Sequence, residues 1–143
     1  MSMTPDALIR RWFEELWNQG DAAAIERYMG PTTTFHGLPT PDGKPLTGPS
    51  AFHPFFASFH EAFPDVHIDV ERTVAQGEMV ACHCRVTGTH TGAGLGVPPT
   101  GKRGEFFGIA IGHIRDGKIV EGWNCFDFLT LYQQLGLVQA PGA

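Results

Sequence analysis

The sequence predicts an α+β fold with its helices first and an antiparallel sheet after them. Three observations carry that prediction. Leu8, Trp12, Phe13, Leu16 and Trp17 recur at three- and four-residue steps, the mark of an amphipathic helix near the N-terminus. Val66, Ile68 and Val70 alternate with His67, Asp69 and Glu71, the mark of a strand with one wet face. Two β-rich runs in FFGIAIGHIRDGKIVEGWNCFDF are joined by Asp116-Gly117, a strong hairpin signal.

Each element has local reasons. Thr4-Pro5-Asp6 supplies a capping residue, a proline at the first turn and an acid near the positive helix end, and Asn18-Gln19-Gly20 closes that helix. Asp21 caps a second helix through about Tyr28, which Met29-Gly30-Pro31 breaks. Thr32 to His36 reads as a short strand, and the Pro/Gly-rich segment Gly37 to Gly48 is long enough for a lid or pocket wall. A third helix runs from Pro49-Ser50 to about Ala62, with Phe52, Phe55, Phe56, Phe59 and Phe63 on one face, a core stripe before it is a ligand wall. Gln76-Gly77-Glu78 is a turn, Met79 to His90 a long strand, Thr91 to Gly101 a Gly/Pro loop, and a short helix begins at Phe128. Residues 1–143 are read as a single domain.

Composition narrows the function. A net charge of −5 without a Lys/Arg cluster argues against nucleic-acid binding, and no apolar run reaches the roughly 20 residues of a membrane span. MSMTPDALIRRWF lacks the apolar core of a signal peptide, so a cytoplasmic protein is expected. Cys82, Cys84 and Cys125 have no metal-ligand spacing and read as free thiols. His53 and His60 lie on one helix without a supporting carboxylate, so no metal site is expected. Gly92, Gly94 and Gly96 open no helix, which disfavours phosphate or dinucleotide binding.

The phrases GTHTGAGLGVPPTGKR, RDGKIVEGW and FDFLTLYQQLG, with WFEELWNQGD, the strand-end His36 and AFPDVHIDVE in the same order, resemble the SnoaL-like polyketide cyclase (predicted ester cyclase) family. That resemblance implies the NTF2-like cone: three N-terminal helices against a curved, mostly antiparallel sheet, a short C-terminal helix and an apolar cavity inside. It also implies a homodimer formed through the exposed sheet face. By the same resemblance the activity is intramolecular aldol condensation of a hydrophobic small molecule, free of metal and cofactor, with an aspartate as acid/base. A non-catalytic ligand-binding module and an isomerase or hydratase are the alternatives, because fold alone does not fix function.

Ring closure of this kind needs a base for a proton alpha to a carbonyl and a donor for the new alkoxide. Asp127, a carboxylate among core-like residues, is the candidate base. It equally suits the N-cap of the tail helix, where backbone N–H groups would make it a weaker base. The expected hairpin has a three-residue loop with a bulge at Gly117, pairing Ile114 with Lys118. That register groups Phe107, Ile109, Ile111 and His113 with Ile119, Trp123, Cys125 and Asp127, and sets Asp127 opposite Glu105. His113, the second catalytic candidate, then lies roughly 26 Å from Asp127 at about 3.3 Å per residue, too far for a direct dyad without strong curvature. Some relatives carry aspartate directly after the tryptophan where this chain has Asn124, which could orient a substrate only by hydrogen bonds. His36 at a strand end and His90 in the loop GTHTG complete the polar set. Each has a bland alternative, a surface role for His36 and loop support for His90. Trp12, Trp123, Phe56, Phe59, Phe107 and Ile109 are the expected walls.

Overall fold

A computed structural model describes residues 3–142 and has the predicted α+β order. Helix α1 spans Pro5–Arg11, capped by Thr4, whose hydroxyl accepts the Ala7 N–H at 3.3 Å. It runs into a π-helical turn, Trp12–Asn18, where a single continuous α-helix is predicted. The wider turn buries Trp12, Phe13, Leu16 and Trp17 together. Asn18 then straps the helix to the sheet: its amide donates to Ile68 O at 2.9 Å and accepts the Ile68 N–H at 2.7 Å. Helices α2 (Ala24–Tyr28) and α3 (Pro49–Ala62) complete the helical layer, and α4 (Phe128–Gln134) closes the chain.

The sheet is curved and six-stranded, in the order β2-β1-β6-β5-β4-β3. Its strands are β1 (Met29–His36), β2 (Leu46–Thr47), β3 (His67–Gln76), β4 (Met79–Thr89), β5 (Arg103–Arg115) and β6 (Lys118–Phe126). β1 runs parallel to β6, and the other described neighbours are antiparallel. Strand β2, inside the predicted lid loop, has no periodicity to announce it, being two residues long.

The hairpin differs from the expected register. Asp116 (φ 52°) and Gly117 (φ 74°) form a two-residue turn pairing Arg115 with Lys118, the geometry that follows the natural strand twist. The bulge lies further along, between the pairs Ile114–Ile119 and His113–Glu121, so Val120 is the extra residue. The face grouping survives for Trp123 and Cys125, which pair with Ile111 and Ile109. The face itself is the outer one. Buried Val80, Cys82, Cys84 and Val86 of β4, with Phe106, Ala110 and Ile114 of β5, look toward the helices instead.

Candidate functional site

Between the helical layer and the sheet lies an apolar chamber of about 60 Å³. The π-turn contributes Trp12, Phe13 and Trp17, and α3 contributes Phe52, Phe55 and Phe59. The sheet supplies Phe35, Ile68, Val86, Phe106 and Phe126, and Leu38 and Phe128 close the ends. These rings interlock: Trp12 stands 5.7 Å from Phe35 and 5.4 Å from Phe52, and Phe106 stands 5.4 Å from Phe128, centroid to centroid. Spacings of this size favour tilted ring contacts over open space.

Asn124 is the one side-chain amide in this lining among the described residues, and apart from the indole N–H groups of Trp12 and Trp17 the rest is hydrocarbon. Its amide nitrogen donates to the His36 carbonyl at 3.0 Å. That bond fixes which end of the amide is which, since a carbonyl can only accept. The Asn124 side-chain oxygen and its second N–H are left for a ligand. Gly37 lets β1 approach: with φ +83°, a Cβ there would lie 1.9 Å from the Asn124 backbone oxygen.

Trp12, Phe59 and Asn124 therefore stand in the chamber wall, whereas the other expected site residues do not. Asp127 is the N-cap of α4, its carboxylate accepting the Thr130 N–H at 3.0 Å and hydroxyl at 2.6 Å. Those bonds from Thr130 hold the carboxyl below the usual carboxylate range, the opposite of what a general base needs. Its backbone N–H bonds Phe107 O, so Phe107 and not Glu105 stands opposite. His113 is also displaced from the expected site: it lies on the outer face, 3.0 Å from Glu78 across the β4–β5 edge. His36 faces outward, 2.6 Å from Glu121, with its ring stacked 5.8 Å from Trp123. Trp123, Phe107 and Ile109 lie on that outer face, 37%, 45% and 50% exposed, and cannot be chamber walls. Phe56 is buried against Trp17, at 5.1 Å, outside the lining. His90 is fully buried and supports its loop, Nδ1 accepting the Thr100 N–H at 3.1 Å beside the Phe63 ring.

Outside the chamber a wider cleft of about 660 Å³ runs between the segment Pro39–Asp42, α3, the glycine loop at Gly94-Leu95, and Tyr132 of α4. Phe55 and Phe59 line both spaces. Gly94 is required where it is, since a Cβ would come within 1.9 Å of Ser58 O. The wall residues Phe35, Phe106, Phe126 and Phe128 and the cleft residue Tyr132 are not among the expected site residues. Parity could have found Phe106 and Phe126, which share the inner face with Asn124 once the bulge at Val120 is known.

Among the described residues no cluster of His, Cys, Asp or Glu is placed to hold a metal ion, and no helix is long and apolar enough to cross a membrane. Comparison with known proteins supplies the lineage. The family model of the SnoaL-like polyketide cyclases matches residues 7–135, from α1 to the end of α4. The chain belongs to the SnoaL-like polyketide cyclase family. It is 30% identical over 140 residues to aklanonic acid methyl ester cyclase DauD of Streptomyces sp. (strain C5), covering 94% of this chain and 83% of that one. It is 29% identical over 110 residues to nogalonic acid methyl ester cyclase of Streptomyces nogalater, covering 76% and 77% of the two chains. The crystal structure of wild-type IdmH from Streptomyces antibioticus superposes with a TM-score of 0.80 at 31% identity, over 94% of this chain and 99% of the other. The match to this family thus spans both the helices and the strands that wall the chamber.

Proposed function

We propose that the protein closes a ring in a hydrophobic, polyketide-like small molecule whose reacting end enters the aromatic chamber, without metal or cofactor. The observation that carries this reading is the lone amide of Asn124 in an otherwise apolar lining. Two of its relatives are named as methyl ester cyclases, of nogalonic acid and of aklanonic acid, which fits an uncharged substrate. An intramolecular aldol closure is redox-neutral. A C–H proton leaves the carbon alpha to one carbonyl, a C–C bond forms to a second carbonyl, and that oxygen gains a proton. In this reading Asn124 donates its free N–H to the oxygen on which charge develops, and water admitted from the outer cleft takes the proton from the alpha carbon and returns it to that oxygen. Asp127 takes no part.

A second reading, a binding module without turnover, is favoured by one feature: no carboxylate lines the chamber among the described residues. Ring-open anthraquinone-type methyl esters, followed by chromatography and mass, separate the two. Closure faster than in buffer supports the enzyme. Saturable binding with closure at the buffer rate would sink catalysis and leave the module.

The working form, we further propose, is a cytoplasmic homodimer. Free thiols at Cys82, Cys84 and Cys125 suit a reducing compartment. Phe107, Ile109, Ile111, Val120 and Trp123 are 37–50% exposed on adjacent strands, an apolar patch that a second copy would cover. Sedimentation velocity should give a dimer for the wild type and a monomer for Ile109→Lys. A wild type that sediments as a monomer at micromolar concentration would refute the pairing.

A further inference from the structure

The two spaces differ in what they can hold. An apolar cavity of about 150 Å³ accepts one benzene ring, and drug-sized ligands take roughly 300–1,000 Å³. At about 60 Å³ the inner chamber is too small for a ring unless its walls part, whereas the outer cleft, at about 660 Å³, is of ligand size. Phe55 and Phe59 stand between them, stacked 6.4 Å apart. Phe59 is buried and Phe55 half-buried, so Phe55 is the ring with freedom to swing.

The polar groups of the cleft point the same way. Thr40 donates to Asp42 and to Lys44 O, and Asp42 also accepts the Lys44 N–H, so the loop's groups serve the loop. The Tyr132 hydroxyl has no protein hydrogen-bond partner among the described residues, although its ring is half-buried and stacked on Phe128 at 6.3 Å. The hydroxyl opens to solvent in the cleft, so a ligand oxygen would take the place of water on it. Burial pushes this phenol up, which keeps its proton in place.

We infer that the ligand spans both spaces, an ester- or ketone-bearing body in the outer cleft against the Tyr132 hydroxyl and an inner end, which carries the reacting carbonyl, passing between Phe55 and Phe59 to Asn124. The ligand is an elongated, uncharged molecule with a ketone or ester oxygen. Asp42 in the cleft wall and the net charge of −5 disfavour a free carboxylate. Tyr132 is a binding and positioning residue here, set apart from the reacting atoms at Asn124. This inference rests on the small-molecule reading above.

The test uses two probes of one outline, methyl anthraquinone-2-carboxylate and anthracene, titrated against tryptophan fluorescence in a Trp123→Phe background, so that the emission is that of Trp12 and Trp17, which line the inner chamber. Both should quench the wild type. Tyr132→Phe, which removes one oxygen and keeps the ring stack, should weaken the ester roughly five- to tenfold, the worth of one neutral hydrogen bond. Anthracene binding should not change. Equal ester affinity in Tyr132→Phe and wild type overturns the inference. If Asn124→Leu then weakens the ester, the small-molecule reading stands without it. A wild type that binds neither probe overturns both.

Discussion

Asn124→Leu should lower kcat/KM for ring closure by roughly a hundredfold, the usual loss when one hydrogen-bond donor to a developing oxyanion is removed, while Asp127→Asn should leave it unchanged. The leucine keeps the branched outline of the amide, though it is larger, and removes the amide's polar atoms from the lining. It also strips the His36 carbonyl of its partner, so a stability loss of about 1 kcal/mol accompanies the effect. Circular dichroism and a melting curve separate that loss from the kinetic one. The Asp127 control is informative because asparagine is as good an N-cap as aspartate, so α4 keeps its start while the charge disappears. Comparable activity in both variants would mean that the chamber amide has no part in turnover. A large loss confined to Asp127→Asn would restore the aspartate as base.

Gly37→Val should be the most damaging single change near the site, costing about 3 kcal/mol or more and lowering Tm by roughly 10 °C. Two penalties coincide there. The backbone is left-handed at φ +83°, and the new Cβ would sit 1.9 Å from the Asn124 backbone oxygen, which no side-chain rotation relieves. Gly43→Ala is the matched control, with φ +71° but nothing within 4 Å, so it carries only the conformational cost of about 1 kcal/mol. Any residual folded Gly37→Val should also bind the anthraquinone ester weakly, because the strand that holds Asn124 must shift. Equal melting temperatures for the two variants would show that β1 yields freely at this point.

The α+β order, most helix ends and the Asp116-Gly117 hairpin were legible because caps, turn residues and periodicity all act locally; α2 is the exception, starting at Ala24 without a side-chain cap, three residues past the expected Asp21. The site was legible only in part. Residues 106 to 114 alternate Phe107, Ile109 and Ile111 with Gly108, Ala110 and Gly112, and the large set reads naturally as core. The structure inverts this. The small set faces inward because neighbours crowd it: a Cβ at Gly108 would meet the Phe126 ring at 2.2 Å, and one at Gly112 would meet the Ile9 side chain at 3.3 Å. Tertiary crowding of that kind leaves no periodic trace in the chain. The same inversion carried Trp123, His113 and Asp127 onto the expected inner face and left Phe106 and Phe126 out. Asn124 was read for its neighbour Trp123 and turns out to lie on the opposite side of the strand from it.

The parallel pairing of β1 with β6 sets the order in which this molecule can be completed. It joins Thr34, Phe35 and His36 to Glu121, Gly122 and Trp123, and the Asn124-to-His36 bond crosses a sequence separation of 88. Contacts so distant in sequence form only after the intervening chain has been brought together, at an entropic cost that slows folding. On the ribosome, a nascent chain that has not yet reached residue 119 can hold its first three helices and much of its meander, but not the strand that carries the amide. The pocket's amide therefore arrives late, after most of its greasy walls have been synthesised and just ahead of Phe126 and Phe128.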